Sequence, residues 1–177
     1  MIKSISQMAA LVAGVAMGTT VMAQESTDNR VASETDWSVF VESNPTECWG
    51  VSAPKETALT DANGNPTQGR RGDIYFFVFY RPGASVSGQV AYTGGYPFAS
   101  GSTAALEIGG TTFQLFTEGE WAWPANAEED ARIVAAMKRG ADATVTARSG
   151  RGNITTDKFS LLGFTAAVEE AARRCAS

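Results

Sequence analysis

No histidine occurs anywhere in the 177 residues. The commonest general base and the commonest zinc ligand are therefore missing together. A Ser-His-Asp or Cys-His arrangement is excluded, while Ser-Lys and paired-carboxylate chemistries survive in principle. Cysteine is nearly absent as well, with only Cys48 and Cys175. Basic residues do not outnumber acidic ones: the formal charge is −5, which argues against nucleic acid and anionic lipid as partners. Beyond residues 8–22 there is no second long apolar run, so no membrane insertion is expected of the rest of the chain. No cofactor is called for by any motif.

The N-terminus shows Lys3, an uncharged apolar stretch over residues 8–22, and then Val21-Met22-Ala23. A basic start, an apolar middle and a small-residue end make a secretory signal peptide spanning residues 1–23. A transmembrane anchor is the alternative. The stretch has the length, but Ala, Gly, Met and Thr dominate it and no polybasic flank follows, so cleavage is favoured. Cleavage would remove Lys3 and no acid, leaving 154 residues at charge −6. That is one domain, large enough to bury roughly 70% of its unfolded surface. In an exported chain, two cysteines read as one Cys48–Cys175 disulfide. Closing so long a loop would stabilise the fold by at most about 4–5 kcal/mol. Two free thiols or an intermolecular bridge are the alternatives.

Residues 24–35 are polar and aperiodic and read as a disordered mature N-terminus, with a single domain over residues 36–177. Trp37, Val39 and Val41 alternate with Ser38, Phe40 and Glu42, as in a half-buried strand. Residues 48–51 suggest the next strand, and residues 55–72 an exposed turn-rich loop or hairpin. Residues 74–80 are apolar on both faces, as expected of a central strand covered on both sides. Strands are also expected over residues 86–93, 104–108, 111–117, 143–148 and 153–161, with Gly109-Gly110 as a tight hairpin turn. Residues 126–140 read as a helix capped by Asn126 and stopped by Gly140, and residues 165–174 as a second. Eight or nine strands with two short helices point to a mainly β fold. An antiparallel β-sandwich is the first choice and a partly closed β-barrel the second.

Several motifs admit a functional reading and a plainer one. Arg71-Gly72-Asp73 is an adhesion tripeptide, but it runs straight into a strand, which takes Asp73 off any loop tip. Asp61-Ala62-Asn63-Gly64-Asn65 has the alternating oxygens of a calcium loop, yet Pro66 stands where that loop needs glycine. A solvated turn fits better. Arg148-Ser149-Gly150-Arg151-Gly152 reads as a glycine-rich hairpin turn, with an anion site as the sharper alternative. Trp121 and Trp123, two apart on a strand, point the same way. With Tyr96 they could form a platform for a ligand or partner, although such aromatics more often pack a core. Glu118, Glu120 and Asp157 are the carboxylates nearest to a hydrolytic pair, and no spacing supports that pairing.

The most distinctive stretch after the signal is Phe159-Ser160-Leu161-Leu162-Gly163-Phe164-Thr165-Ala166-Ala167, a strand entering a helix through a glycine hinge. It resembles the C-terminal signature of the invasion-associated locus B family, in which Ser-Leu-x-Gly-Phe ends a strand and small residues begin a helix. Trp37, Cys48, the Tyr96-Pro97-Phe98 loop and the Ala135-Ala136-Met137-Lys138 helix end agree with it. The resemblance implies an immunoglobulin-like β-sandwich with no enzymatic activity, located in the periplasm or at the outer surface of a bacterium. The expected role is interaction with an envelope or extracellular protein. A small-molecule or glycan module built on Tyr96, Trp121 and Trp123 is the alternative.

Overall fold

The computed structural model describes residues 29–176. The signal-peptide reading falls on residues outside that range. Eleven strands and two α-helices make up the described chain. In order they are β1 (Arg30–Glu34), β2 (Trp37–Ser43), β3 (Thr46–Ser52), β4 (Glu56–Thr60), β5 (Tyr75–Arg81), β6 (Val86–Thr93), β7 (Thr103–Ile108), β8 (Thr111–Glu118), β9 (Trp121–Trp123), α1 (Ala127–Met137), β10 (Asp142–Arg148), β11 (Ile154–Ser160) and α2 (Phe164–Cys175). The helices begin as their sequences dictate. The Asn126 side chain accepts the Glu129 N–H at 3.0 Å, and three acidic residues fill the first turn of α1.

All the strands join one unclosed sheet in the order β1-β2-β3-β5-β6-β9-β8-β7-β10-β11-β4, and every pairing is antiparallel. The fold is mainly β and sandwich-like, as expected. Its two layers are halves of one continuous ladder, joined where the three-residue β9 bridges β6 and β8. The halves face each other. Phe76 on β5 meets Phe159 on β11 edge-on at 5.5 Å, and the Trp37 indole on β2 donates to the Ser160 carbonyl at 2.9 Å. Helix α2 packs against the inner face of β2 and β3, with Phe164 against Trp37 at 4.9 Å. Gly50 lies under the helix, where a Cβ would sit in ordinary contact with Trp37, Ala167 and Val168 at 3.7–3.8 Å.

One strand lies where none was expected, and another resolves a stretch read as a loop or hairpin. Residues 30–34, assigned to a disordered terminus, form edge strand β1, paired with β2 through Ala32↔Val39 and Glu34↔Trp37. The strand is mostly exposed and gains its order from backbone bonds to β2 rather than from an apolar pattern, so periodicity could not reveal it. At the other edge, residues 56–60 of the turn-rich stretch form β4 against β11.

Gly163 explains why a glycine stands in the strand-to-helix hinge. Its φ is +87°, and a Cβ built there would lie 1.9 Å from the Glu34 carbonyl oxygen of β1. The hinge and the edge strand therefore touch backbone to backbone. At the far end of α2, Cys175 is bonded to Cys48 of β3, with the Cα atoms 5.8 Å apart. The intramolecular bridge is thus the alternative realised, and it fixes α2 to the sheet. Among the described residues, no helix is long and apolar enough to cross a membrane.

Candidate functional site

Three features carry side chains whose chemistry exceeds what packing alone requires: an aromatic outer face, a buried polar hub, and an arginine-lined cleft.

The outer face follows from strand alternation. On β2, β3 and β5 the residues Trp37, Val39, Cys48, Gly50, Phe76 and Val78 point inward and are buried. The intervening residues Phe40, Trp49, Phe77 and Phe79 point outward. They are only half-buried, yet they touch in series. Phe40 stacks on Trp49 at 5.6 Å, Trp49 lies 6.3 Å from Phe79, and Phe79 stacks on Phe77 at 5.1 Å. Phe77 reaches Trp121 on β9 at 5.7 Å, and Trp121 lies 6.4 Å from Trp123. Between Phe77 and Trp121 runs β6, whose outward Ala91, the register partner of Phe77, is small. Phe116 on β8, opposite Trp123 in the register, is 56% exposed and continues the band. The Arg81 guanidinium lies 4.4 Å over the Phe79 ring. The central strand is thus covered on its outer side by rings of the same face and not by a second layer.

The hub lies on the opposite face. Asp157 points inward from β11 with no exposed surface. The Arg71 guanidinium grips both of its oxygens, at 2.7 and 2.5 Å, and the Tyr92 hydroxyl of β6 donates to one of them. Burial, reinforced by the Asp157 carboxylate, pushes the Tyr92 phenol far above its ordinary range, so it remains a donor. Burial works against the Arg71 charge, but hydrogen bonding to Asp157 and its charge outweigh that cost and raise the pKa. The Arg71 Nε also donates to the Gly94 carbonyl at 3.0 Å, and its guanidinium lies 5.2 Å from the Tyr96 ring centre. Gly95, at φ +71°, lets the two loops meet: a Cβ there would lie 2.5 Å from the Gly72 oxygen.

This hub settles several motifs. The adhesion tripeptide is not presented, because Arg71 is spent on Asp157 and Gly72 is pressed against Gly95. Asp157 is paired with a cation and buried, while Glu118 and Glu120 are exposed, so the three carboxylates do not form a hydrolytic pair. Asp61 accepts the backbone N–H groups of Asn63 and Asn65 at 2.8 and 2.9 Å, as a self-capped turn does. Among the described residues, no cluster of three or more His, Cys, Asp or Glu side chains could hold a metal.

The cleft, of about 520 Å³, opens beside the hub. Arg70, Arg71, Arg151, Tyr96, Pro97 and Glu120 line it with Leu59 and the glycine-rich turn at Ser149-Gly150. Tyr96 is held by its hydroxyl, 2.5 Å from Thr155 Oγ, and by Phe98, ring centres 5.0 Å apart. The trio Tyr96, Trp121 and Trp123 is therefore divided. The two tryptophans share the outer face, and Tyr96 belongs to the cleft. Sequence reasoning set Phe40 on the face opposite Trp37 but missed Trp49, Phe77 and Phe79 as surface residues, although their alternation with Gly50, Phe76 and Val78 was there to read. It also missed the hub. The signal was Asp157 falling in phase with the inward Phe159 on one strand, which requires a buried partner for the carboxylate.

Fold and surfaces together define a disulfide-bonded, mainly antiparallel β protein whose accessible chemistry is aromatic rings and arginines. Within it, residues 100–172, from just before β7 into α2, match the model of the family described as Invasion associated locus B (IalB) protein. That match supports assignment of the chain to the IalB family, as the hinge motif implied. No curated protein matches the chain, and no solved structure does. The family is not a known enzyme family.

Proposed function

We propose that the chain is an exported, non-enzymatic protein of the bacterial envelope that binds a protein partner through the outer face of β2, β3, β5, β9 and β8. The observation that carries this reading is the connected row of half-exposed rings, Phe40–Trp49–Phe79–Phe77–Trp121–Trp123, on a sheet face that neither helix covers. Trp, Tyr and Arg are the residues enriched where protein interfaces concentrate their binding energy. Here Arg81 is stacked on the row and anchored to Glu47 at 3.1 Å, so it meets a partner already ordered. Rings that already touch lose little side-chain freedom on binding, which lowers the entropic cost of association. The disulfide fits an oxidising compartment, and the signal-like N-terminus supports export.

The test is site-specific photo-crosslinking in the native host from Phe77, Trp121 and Phe116, with Glu107 on β7 as a control. The expected result is one envelope protein captured from all three aromatic positions and not from Glu107. Its loss in a Trp49→Ala/Trp121→Ala protein that still folds would support the face as the contact. Capture of glycan alone, or equal labelling from Glu107, would overturn the reading.

A further inference from the structure

The cleft beside the hub is separate from the aromatic face and has its own chemistry. The protein is acidic as a whole, yet three arginines meet at this cleft. Arg71 is neutralised by Asp157 and held by Gly94, so its role is to shape the wall. Arg70 and Arg151 differ. Both are exposed, and among the described residues neither takes part in an ion pair. The one exposed carboxylate in the lining is Glu120. The lining thus has an excess of a single positive charge, carried by forked donors that match a carboxylate edge to edge. Leu59, Tyr96 and Pro97 supply apolar wall, and Glu120 supplies an acceptor for hydroxyl groups. The volume of about 520 Å³ lies within the range of ~300–1,000 Å³ typical of small-molecule sites.

We infer that this cleft binds a sugar acid: a compact ring with one carboxylate for Arg70 and Arg151, hydroxyls for Glu120 and the loop backbones, and an apolar flank for Tyr96 and Pro97. A single excess charge suits a monoanion better than a phosphate dianion. The cleft opens to the surface, so the sugar acid can be free or a unit of an acidic polysaccharide. The inference stands whether or not the outer face binds a protein.

The experiment is titration of the disulfide-bonded protein, residues 24–177, with D-galacturonate, D-glucuronate, tri-galacturonate, D-glucose 6-phosphate and D-glucose. Calorimetry and backbone amide shifts are the readouts. The expected result is binding of at least one uronate that moves the amides of Gly69, Gly95 and Gly150, weakens as salt rises, and is absent for glucose. Arg70→Gln/Arg151→Gln should weaken it about tenfold or more while leaving Tm unchanged, because neither arginine supports the fold. Tri-galacturonate binding more tightly than the monomer would identify a polysaccharide unit as the source, and equal binding a free sugar acid. Binding of glucose as tight as of the uronates, binding of the phosphate alone, full retention in the double variant, or no binding of any uronate would each overturn the inference. Trp121→Ala serves as a control, and its uronate affinity should equal that of the parent.

Discussion

Strand β5 presents aromatic residues to both sides, and the two sides behave as different materials. Inside, Phe76 is fully buried among Trp37, Tyr92 and Phe159. Outside, Phe77 and Phe79 touch other outward rings and, for Phe79, the Arg81 guanidinium, and both keep part of their surface in water. The residue types are the same and alternate by one position. What differs is the number of partner layers. The inner face is closed by α2 and β11, so every ring there is enclosed by close-packed neighbours, whereas the outer face is one ring deep. Inner rings should therefore determine stability, and outer rings should be available for recognition.

The largest effect should come from the inner face. Phe76→Ala is expected to cost about 3–5 kcal/mol in urea denaturation, since it opens a cavity among rings that cannot collapse into it. A loss below ~1 kcal/mol would remove the distinction between the faces.

The polar hub comes next and follows a different rule. Arg71→Ala leaves the Asp157 carboxylate buried with only the Tyr92 hydroxyl, and should cost about 3–5 kcal/mol. Arg71→Met/Asp157→Leu, which removes both charges, should recover much of that loss in a double-mutant cycle. If the double variant is as unstable as the sum of its singles, the hub is not a coupled pair.

On the outer face, Trp121→Ala should cost less than about 1 kcal/mol, because the side chain is 38% exposed before truncation. The same substitution should abolish partner capture. A loss of stability as large as that of Phe76→Ala would place Trp121 functionally with the inner rings.

The smallest effect concerns Asp130 on α1, which is buried while accepting the Val90 N–H at 2.8 Å. Burial raises its pKa above 3.8, against the lowering effect of that hydrogen bond. Above the raised pKa the carboxylate is ionised in both states, and the folded state carries the cost of burying the charge. As pH falls through it, the folded state takes up a proton before the unfolded chain does, so this group's contribution to stability rises until the unfolded value is reached. Asp130→Asn keeps an acceptor for Val90 and removes the charge. Its Tm should exceed the parent's slightly at pH 7, and the gap should close as pH falls towards 4. A gap that widens on acidification would show that the ionised form is the favoured one.

The elements ruled by local chemistry were legible in the sequence. The Gly109-Gly110 hairpin, the Asn126 cap and the span of β6 lie where their residues place them, because turn dihedrals, capping bonds and strand alternation each act over a few residues. The cysteine count pointed to the disulfide for a simpler reason: two cysteines allow a single intramolecular pairing, and that pairing is the one formed. Only the tertiary structure decided the rest. Edge strand β1 has no apolar period and exists because β2 offers it backbone partners and Gly163 leaves room beside Glu34. Arg71 and Asp157, 86 residues apart, meet because the sheet folds over, and that meeting converts an apparent adhesion motif into a structural brace. Tyr96 and Trp121 separate for the same reason. The sequence sets which way each side chain points on its own strand, but the curl of the sheet decides which pointing side chains meet, and that curl is a property of all eleven strands together.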